Sequence, residues 1–450
     1  MSVLVAQLLF VLTAQAQPVV RVLDLNDCIN TAIQKSTEVL KSNNNVALAG
    51  TQVLAAYGNY LPNLVAGAGY NFNHGNNFYS TSTPTIVNDN RSQFNYQLTS
   101  SMNIFTGNYN NSVWKASKLN QQMSGMTLER AKQQIALDVT QAYLQVLLDR
   151  KILALDSANL ATSLKREDQL TVLTEVGRRP KTDLYQQQAQ TSSDKLLLIN
   201  ANSKMLNDKI QLLQKLRIDS TDYYEIADIP VEDNPELGNY SNKDALVKQA
   251  LQQRVDLQSA KLNTEYTDWN IRKYRSGYLP QVSIFAGVYN NGAYFNSLAI
   301  NGVSEQPVTQ EVVPNQLYKY TYGNAGVTAS WNIFDKFYTK SNVQAAKILA
   351  DNARIDLQDT TISISATIKQ AYNDYVNAVQ QIETVESGYV AAQKAYEAVN
   401  ARYKEGATDF ITEANAQLVL LQASQNKVQA SVNMMLQKRA IDYYVGTSIK

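Results

Sequence analysis

The chain has 450 residues, with 40 Lys and Arg set against 39 Asp and Glu, one cysteine and one histidine. A near-zero net charge offers no basic element to a nucleic acid. Cys28 and His74 alone cannot furnish a zinc finger, an HExxH protease, a Ser-His-Asp triad or a disulfide framework, so we expect no catalytic residue, no metal site and no cofactor.

In chain order, an apolar run at 3–12 followed by Ala14-Gln15-Ala16 reads as a signal peptide over residues 1–16, with Gln17 as the mature terminus, although no Lys or Arg precedes the run. Downstream, no apolar stretch reaches the roughly 18 residues of a spanning helix, so an exported chain that enters a membrane must do so as strands. Residues 24–57 carry Ile29, Ala32, Ile33, Leu40, Val46, Val53 and Leu54 at helical spacing, with Cys28 as a small buried member of that helix. After Pro62 the period changes to two. Leu64, Ala66, Ala68, Tyr70 and Phe72 share one face, residues 74–91 with His74 read as a polar loop, and Phe94, Tyr96, Leu98, Met102 and Ile104 alternate with Asn95, Gln97, Thr99, Ser101 and Asn103. This predicts a hairpin over about 61–105 with one apolar face and one small, polar face that suits water.

From Tyr109 to about Val176 the chain has no proline and is rich in Ala, Leu, Gln, Lys and Glu, which predicts one helix about 100 Å long. Gly177-Arg178-Arg179-Pro180 interrupts it, and Pro180 suits the first turn of a second helix that continues to about Arg217. Residues 219–241 read as an irregular linker.

The second half repeats this order: a helix at 243–275, a strand at 279–290, a polar loop, and a second strand within 318–334 that carries Ala325, Val327, Ala329, Trp331 and Ile333 on one face. Tyr318, Tyr320 and Tyr322 fall on the other parity, which predicts a bulge near Gly323 or a tyrosine belt at a membrane edge. The helix at 338–404 shows a coiled-coil seam through Ile368, Tyr372, Tyr375, Val379, Ile382, Tyr389, Ala392, Tyr396, Val399 and Tyr403, and a last helix follows Gly406. Identical words mark the duplication: Ser101-x-Asn103-Ile104-Phe105 against Ser330-x-Asn332-Ile333-Phe334, Gln141-Ala142-Tyr143 against Gln370-Ala371-Tyr372, and Tyr60-Leu61-Pro62 against Tyr278-Leu279-Pro280. The repeats are thus 17–218 and 242–450, joined by 219–241, with the second hairpin at about 279–334.

Each long helix leaves a hairpin, turns at its glycine and returns at about half its length. The helix ahead of the hairpin has about the missing length and can stack end to end with the returning one, which places the linker at the equator of the rod. Four strands cannot close a barrel, for which about eight is the practical minimum. Two chains would give a bore filled by side chains and three a lumen, and the small, polar second faces favour three.

This series of helix, Leu-Pro strand, polar loop, strand ending in Asn-Ile-Phe, long helix and glycine turn resembles the TolC-type outer-membrane efflux protein family over nearly the whole mature chain. The resemblance implies a membrane α+β fold. A homotrimer would form a twelve-stranded β-barrel in contact with outer-membrane lipid and a periplasmic α-helical cylinder. It further implies a passive conduit of a Gram-negative cell, working with a periplasmic adaptor (membrane fusion) protein and an inner-membrane RND or ABC transporter. By position it implies adaptor contacts at the two tips, Val176, Gly177, Arg178 and Arg179 after Glu175, and Glu405, Gly406, Ala407 and Thr408 after Lys404. Family members often carry acidic residues six and nine positions past the second glycine, lining the periplasmic constriction, where this chain has Thr412 and Asn415. Asp409 and Glu413 lie beside them, and Asp183 falls six past Gly177, so these five are the candidate constriction residues; solvated charges on an exposed helix are the alternative reading. Efflux of small molecules is the expected function. Type I protein secretion uses the same design, whereas a periplasmic coiled-coil scaffold would explain the rods but not two hairpins with an apolar face.

Overall fold

The computed structural model describes residues 21–80, 84–219, 224–229, 240, 242–305 and 311–446; the leader at 1–16 lies outside the described residues. The first half runs β1 (Arg21–Leu23), α1 (Leu25–Lys35), α2 (Thr37–Gly58), β2 (Asn63–Ser80), β3 (Pro84–Phe105), α3 (Tyr109–Glu175) and α4 (Lys181–Lys215). After β4 (Tyr224–Ile226), the second half gives α5 (Lys243–Gln253), α6 (Val255–Arg275), a 3-10 turn at Ser276–Tyr278, β5 (Gln281–Ile300), β6 (Val303–Glu305), α7 (Val313–Lys319), β7 (Thr321–Ser330), α8 (Tyr338–Lys404) and α9 (Phe410–Val445). The duplication holds for the long and the returning helices, while β6 and α7 have no counterpart between β2 and β3 among the described residues. Helices α3 and α8 have 67 residues each, and the returning helices α4 and α9 have 35 and 36.

Both halves begin with a polar cap: Asp24 Oδ1 accepts from the Asp27 amide at 2.6 Å, and Asn242 Oδ1 accepts from the amides of Asp244 and Ala245. The single helices expected before each hairpin are each two, divided at Ser36 and at Arg254, where ψ swings to 130° and 125°. Neither break carries Pro or Gly, and each residue still donates its amide to the carbonyl four back, so apolar spacing runs through the kink undisturbed. At Arg254 the guanidinium holds the bend by donating to Asp256 and to the Tyr444 carbonyl.

Two compact units cut across the repeats, one built from 1–44, 125–258 and 358–450, the other from 45–124 and 259–357, with α3 and α8 contributing to both. The second unit holds the sheet, in the order β2-β3-β5-β7 with β6 beside the far end of β5. Register decides which residues share a face: Ala66 pairs with Leu98, Leu98 with Val288, Met102 with Ile284, and Ile284 with Val327. All four apolar parities therefore converge on one side, with Gln97, Thr99, Ser283 and Thr328 on the other.

The polar loop expected at 74–91 is strand instead, since 74–80 and 84–91 continue the β2–β3 ladder, and His74 is an exposed strand residue opposite Asn90. A bilayer needs only about 9–11 residues per strand, and β2 and β3 have 18 and 22. The excess can be polar on both faces and still complete its backbone hydrogen bonds. The β5–β7 register is unbroken, so the bulge expected near Gly323 is absent there. Tyr318 lies on α7 and Tyr320 caps it, which accounts for the parity jump, while Tyr322 stacks on Tyr289 with ring centroids 5.6 Å apart. Trp331 and Ile333, expected on the last strand, lie just beyond its end.

In the first unit the seam read from sequence is the inner face of α8, with Ile368, Tyr375, Val379 and Ala392 buried and the other members half-buried. Within the segment read as irregular, β4 pairs in parallel with β1. Its Ile226 joins Leu23, Cys28, Ile29, Ala32 and residues of α3 and α4 in one apolar cluster. Tyr143 at the centre of that cluster donates to the Ala227 carbonyl at 2.7 Å, its hydroxyl lying 3.3 Å from the Leu23 carbonyl, which ties both short strands to α3.

Candidate functional site at the helical turns

The two long helices end in the same way. Gly177 and Gly406 take φ of +73° and +72°, in the left-handed region that glycine enters without a Cβ clash. Gly177 N–H donates to the Thr174 carbonyl and Arg178 N–H to that of Leu173 at 2.8 Å; Gly406 donates to Tyr403 and Ala407 to Arg402, again at 2.8 Å. This is the Schellman pattern, which satisfies carbonyls that a helix end leaves open. A Cβ built on either glycine meets nothing within 4 Å, so backbone conformation, not space, demands glycine here.

The structure brings the two turns together. The Arg179 guanidinium lies 4.8 Å from the centroid of the Tyr403 ring, while its other side reaches Asp183 at 3.8 Å, and Tyr403 meets Phe410 edge to face at 6.4 Å. Burial raises the Tyr403 phenol above its ordinary value. Val176, Arg178, Glu405 and Ala407 are exposed around this link, and Thr408 is half-buried.

Sequence reasoning missed Arg166, which lies near the C-terminal end of α3. It donates to Glu413 at 2.6 Å and to Gln417 at 2.5 Å, and Gln417 in turn donates to Asn159. Only the facing Tyr396 and Tyr403 of the predicted seam hinted that this stretch of α3 faces α8. A groove of about 400 Å³ runs here, lined by Lys165, Arg166, Gln169, Arg179, Asn400 and Tyr403.

The candidate constriction residues have separate environments. Asp409 is the N-cap of α9; the backbone N–H and hydroxyl of Thr412 donate to it at 2.8 and 2.9 Å and hold its carboxyl below the ordinary value. Glu413 is fully buried against Arg166. Burial lifts its carboxyl above the ordinary value, while the neighbouring guanidinium pulls it down. Thr412 and Asn415 are exposed, and Asp183 is bound to Arg179. Among the described residues no cluster of His, Cys, Asp and Glu could hold a metal ion, and no helix is long and apolar enough to cross a membrane.

A sheet with one continuous apolar face, joined to paired helices of 67 residues that turn at matched glycines, defines an outer-membrane channel with a helical extension. Comparison with known proteins agrees. The profile of the outer membrane efflux protein family matches residues 28–216 and 246–447, and the chain belongs to that family. It is 24% identical to outer membrane protein TolC of Escherichia coli (strain K12) over 395 residues, covering 86% of this chain and 75% of that one. TolC of Vibrio cholerae is 25% identical over 391 residues, covering 86% and 82%. The crystal structure of outer membrane protein VceC from Vibrio cholerae superposes with a TM-score of 0.78 at 15% identity, covering 95% of this chain and 97% of that one, which is a likeness of fold. The chain is an outer-membrane efflux channel extending into the periplasm, and its family is one of transport proteins.

Proposed function

We propose that three copies assemble into a passive conduit through which small molecules leave the cell, with no chemistry performed on them. The observation that carries this reading is the sheet order, which leaves β2 and β7 as the two edges of a sheet with one apolar face. A spanning sheet cannot leave edge amides and carbonyls in lipid, where each open group costs several kcal/mol (about 2–7). Three copies supply twelve strands, enough to close and leave a lumen. Glycines in the lumenal face keep it thin: the Phe285 ring covers Gly326, and the Tyr289 ring covers Gly287.

Driving force comes from an inner-membrane RND or ABC transporter through a periplasmic adaptor that grips the turns at Val176, Gly177, Arg178 and Arg179 and at Glu405, Gly406, Ala407 and Thr408. Support lies in the side-by-side packing of these turns, which presents both to one partner. The constriction is assigned to Asp183, Asp409, Thr412, Glu413 and Asn415. Of these, exposed Thr412 and Asn415 contact the passing solute, and buried Glu413 fixes the helix behind them. The test is the mass of the purified protein in detergent together with adaptor capture. A trimer that captures the adaptor is expected; a monomer, or a trimer whose capture survives bulky substitution at both turns, would overturn the assignment.

A further inference from the structure

Both hairpins carry glycines on the face assigned to the lumen, and the two copies of the repeat cover them with different chemistry. In the first copy the covers are amides: a Cβ on Gly67 would stand 3.4 Å from the Gln97 side chain, and one on Gly69 2.8 Å from Asn95 Oδ1. In the second copy they are rings. A Cβ on Gly287 would meet the Tyr289 ring at 2.8 Å, and one on Gly326 the Phe285 ring at 2.9 Å, so both rings lie down on bare backbone. Amides suffice as covers in the first copy, so shielding backbone does not by itself call for aromatic rings in the second.

Three rings make one patch. Across the β5–β7 ladder Phe285 pairs with Gly326 and Tyr289 with Tyr322, and the two tyrosines stack with centroids 5.6 Å apart and planes 22° from parallel. Tyr322 is 52% exposed and Phe285 and Tyr289 are half-buried, so the patch stays accessible to a solute. Its surroundings are neutral. On this face no position within 63–73, 93–103, 281–291 or 322–330 carries a charge, and Asn324, opposite Gly287, adds an amide.

We propose that Phe285, Tyr289 and Tyr322 form a subsite on the channel wall for flat aromatic cations among the transported solutes, an assignment that rests on the lumenal placement of this face in the trimeric conduit. The negative face of a tyrosine ring attracts an organic cation, and a planar solute stacks on it. No Lys or Arg in this band of the face repels such a solute, and no carboxylate there holds a simple metal ion, so a ring and a positive charge are selected together. Three copies set three such sectors around the bore, alternating with the amide-lined sectors of β2 and β3.

The test titrates N-methylacridinium, a flat fluorescent cation, into the full chain purified in a neutral detergent, with tetraethylammonium as the ringless cation of equal charge. Saturable acridinium binding that equimolar tetraethylammonium does not displace is expected. It should be about tenfold weaker when Tyr289→Leu and Tyr322→Leu are combined and retained when Tyr289→Phe and Tyr322→Phe are, because leucine still covers Gly287 but supplies no π face. Equal affinity in the double Leu variant, or displacement by equimolar tetraethylammonium, overturns the proposal. Should the Leu variant fail to fold, Asn324→Cys carrying a nitroxide is expected to quench the bound acridinium, and unquenched emission is then the overturning result. Ion conductance through a planar bilayer is read separately: conductance without acridinium binding overturns the subsite and leaves the conduit, whereas binding without conductance supports the subsite and overturns the conduit.

Discussion

Arg166 and Glu413 form an ion pair at 2.6 Å in which the carboxylate has no solvent exposure and its Oε2 has no hydrogen-bond partner. Burial raises the Glu413 carboxyl in the folded chain, with Arg166 opposing. A folded-state value above the unfolded one means that the native chain holds the proton longer. The stability contributed by this group is therefore full below the ordinary carboxylate range, lost as pH climbs to the raised value, and constant beyond it. Arg166→Ala removes the opposing charge, and should lift the carboxyl further, carry the falling window to higher pH and cost about 3–5 kcal/mol at neutral pH. Glu413→Gln should abolish that window in either background. Melting temperatures from acid to neutral pH check it; a slope that persists in Glu413→Gln assigns the effect to other carboxylates.

At the turns, Gly406→Ala and Gly406→Trp separate folding from docking. Both place a Cβ at φ +72°, where space is open, and so both should lose about 1–2 kcal/mol through backbone strain alone. Only tryptophan adds bulk to the outer surface. Equal melting temperatures with adaptor capture lost in the Trp variant alone is the expected pair of results. Equal capture by both would remove the turn surface from docking.

The convergence of strand parities makes a sharper demand. Leu98 and Val327, 45% and 69% exposed on the apolar side, should not accept charge: arginine at the bilayer midplane costs about 2–4 kcal/mol. Gln97→Arg and Thr328→Arg, on the other side, should insert normally. Heat-modifiable mobility in outer-membrane fractions reads both sets, and matched losses in the two would mean that the face assignment is inverted.

Cys28 should be inert in the native protein. Burial in the cluster around Tyr143, reinforced by the charges of Asp24 and Asp27, pushes its thiol up to about 12, so at neutral pH it holds almost no thiolate. A maleimide should label the unfolded chain and leave the folded one untouched; stoichiometric labelling under native conditions would show that the β1–β4 region opens readily.

Periodicity carried much of this fold into plain view. The period-two faces of β2, β3, β5 and β7 and the three-and-four seam of α8 are one-dimensional signals of what packs against what, and both survive in the structure. Their limits are equally physical. The kinks at Ser36 and Arg254 come with contacts to distant parts of the chain, Arg217 donating to the Lys35 carbonyl at the first and Arg254 itself to the Tyr444 carbonyl at the second, and carry no local Pro or Gly. The strand extensions at 74–80 and 84–91 escaped because their mostly polar residues show no apolar alternation, although the ladder completes its backbone pairing without one. At the turns the glycines were legible as helix breakers, but Arg166 was not, because nothing in its neighbours along the chain indicates the buried glutamate 247 positions away.

Helices α3 and α8 have equal length, 67 residues, and this turns the Arg179–Tyr403 contact into a gauge. Removing one heptad from α3 alone would draw its turn back by about 10 Å, far more than a guanidinium can bridge. Removing a heptad from both would shorten the two rods in step and leave the contact intact. Length in this protein is thus a matched pair of quantities: a gain or loss in one repeat is tolerable only with its counterpart in the other, and the duplicated chain can change its reach only in whole, synchronised turns.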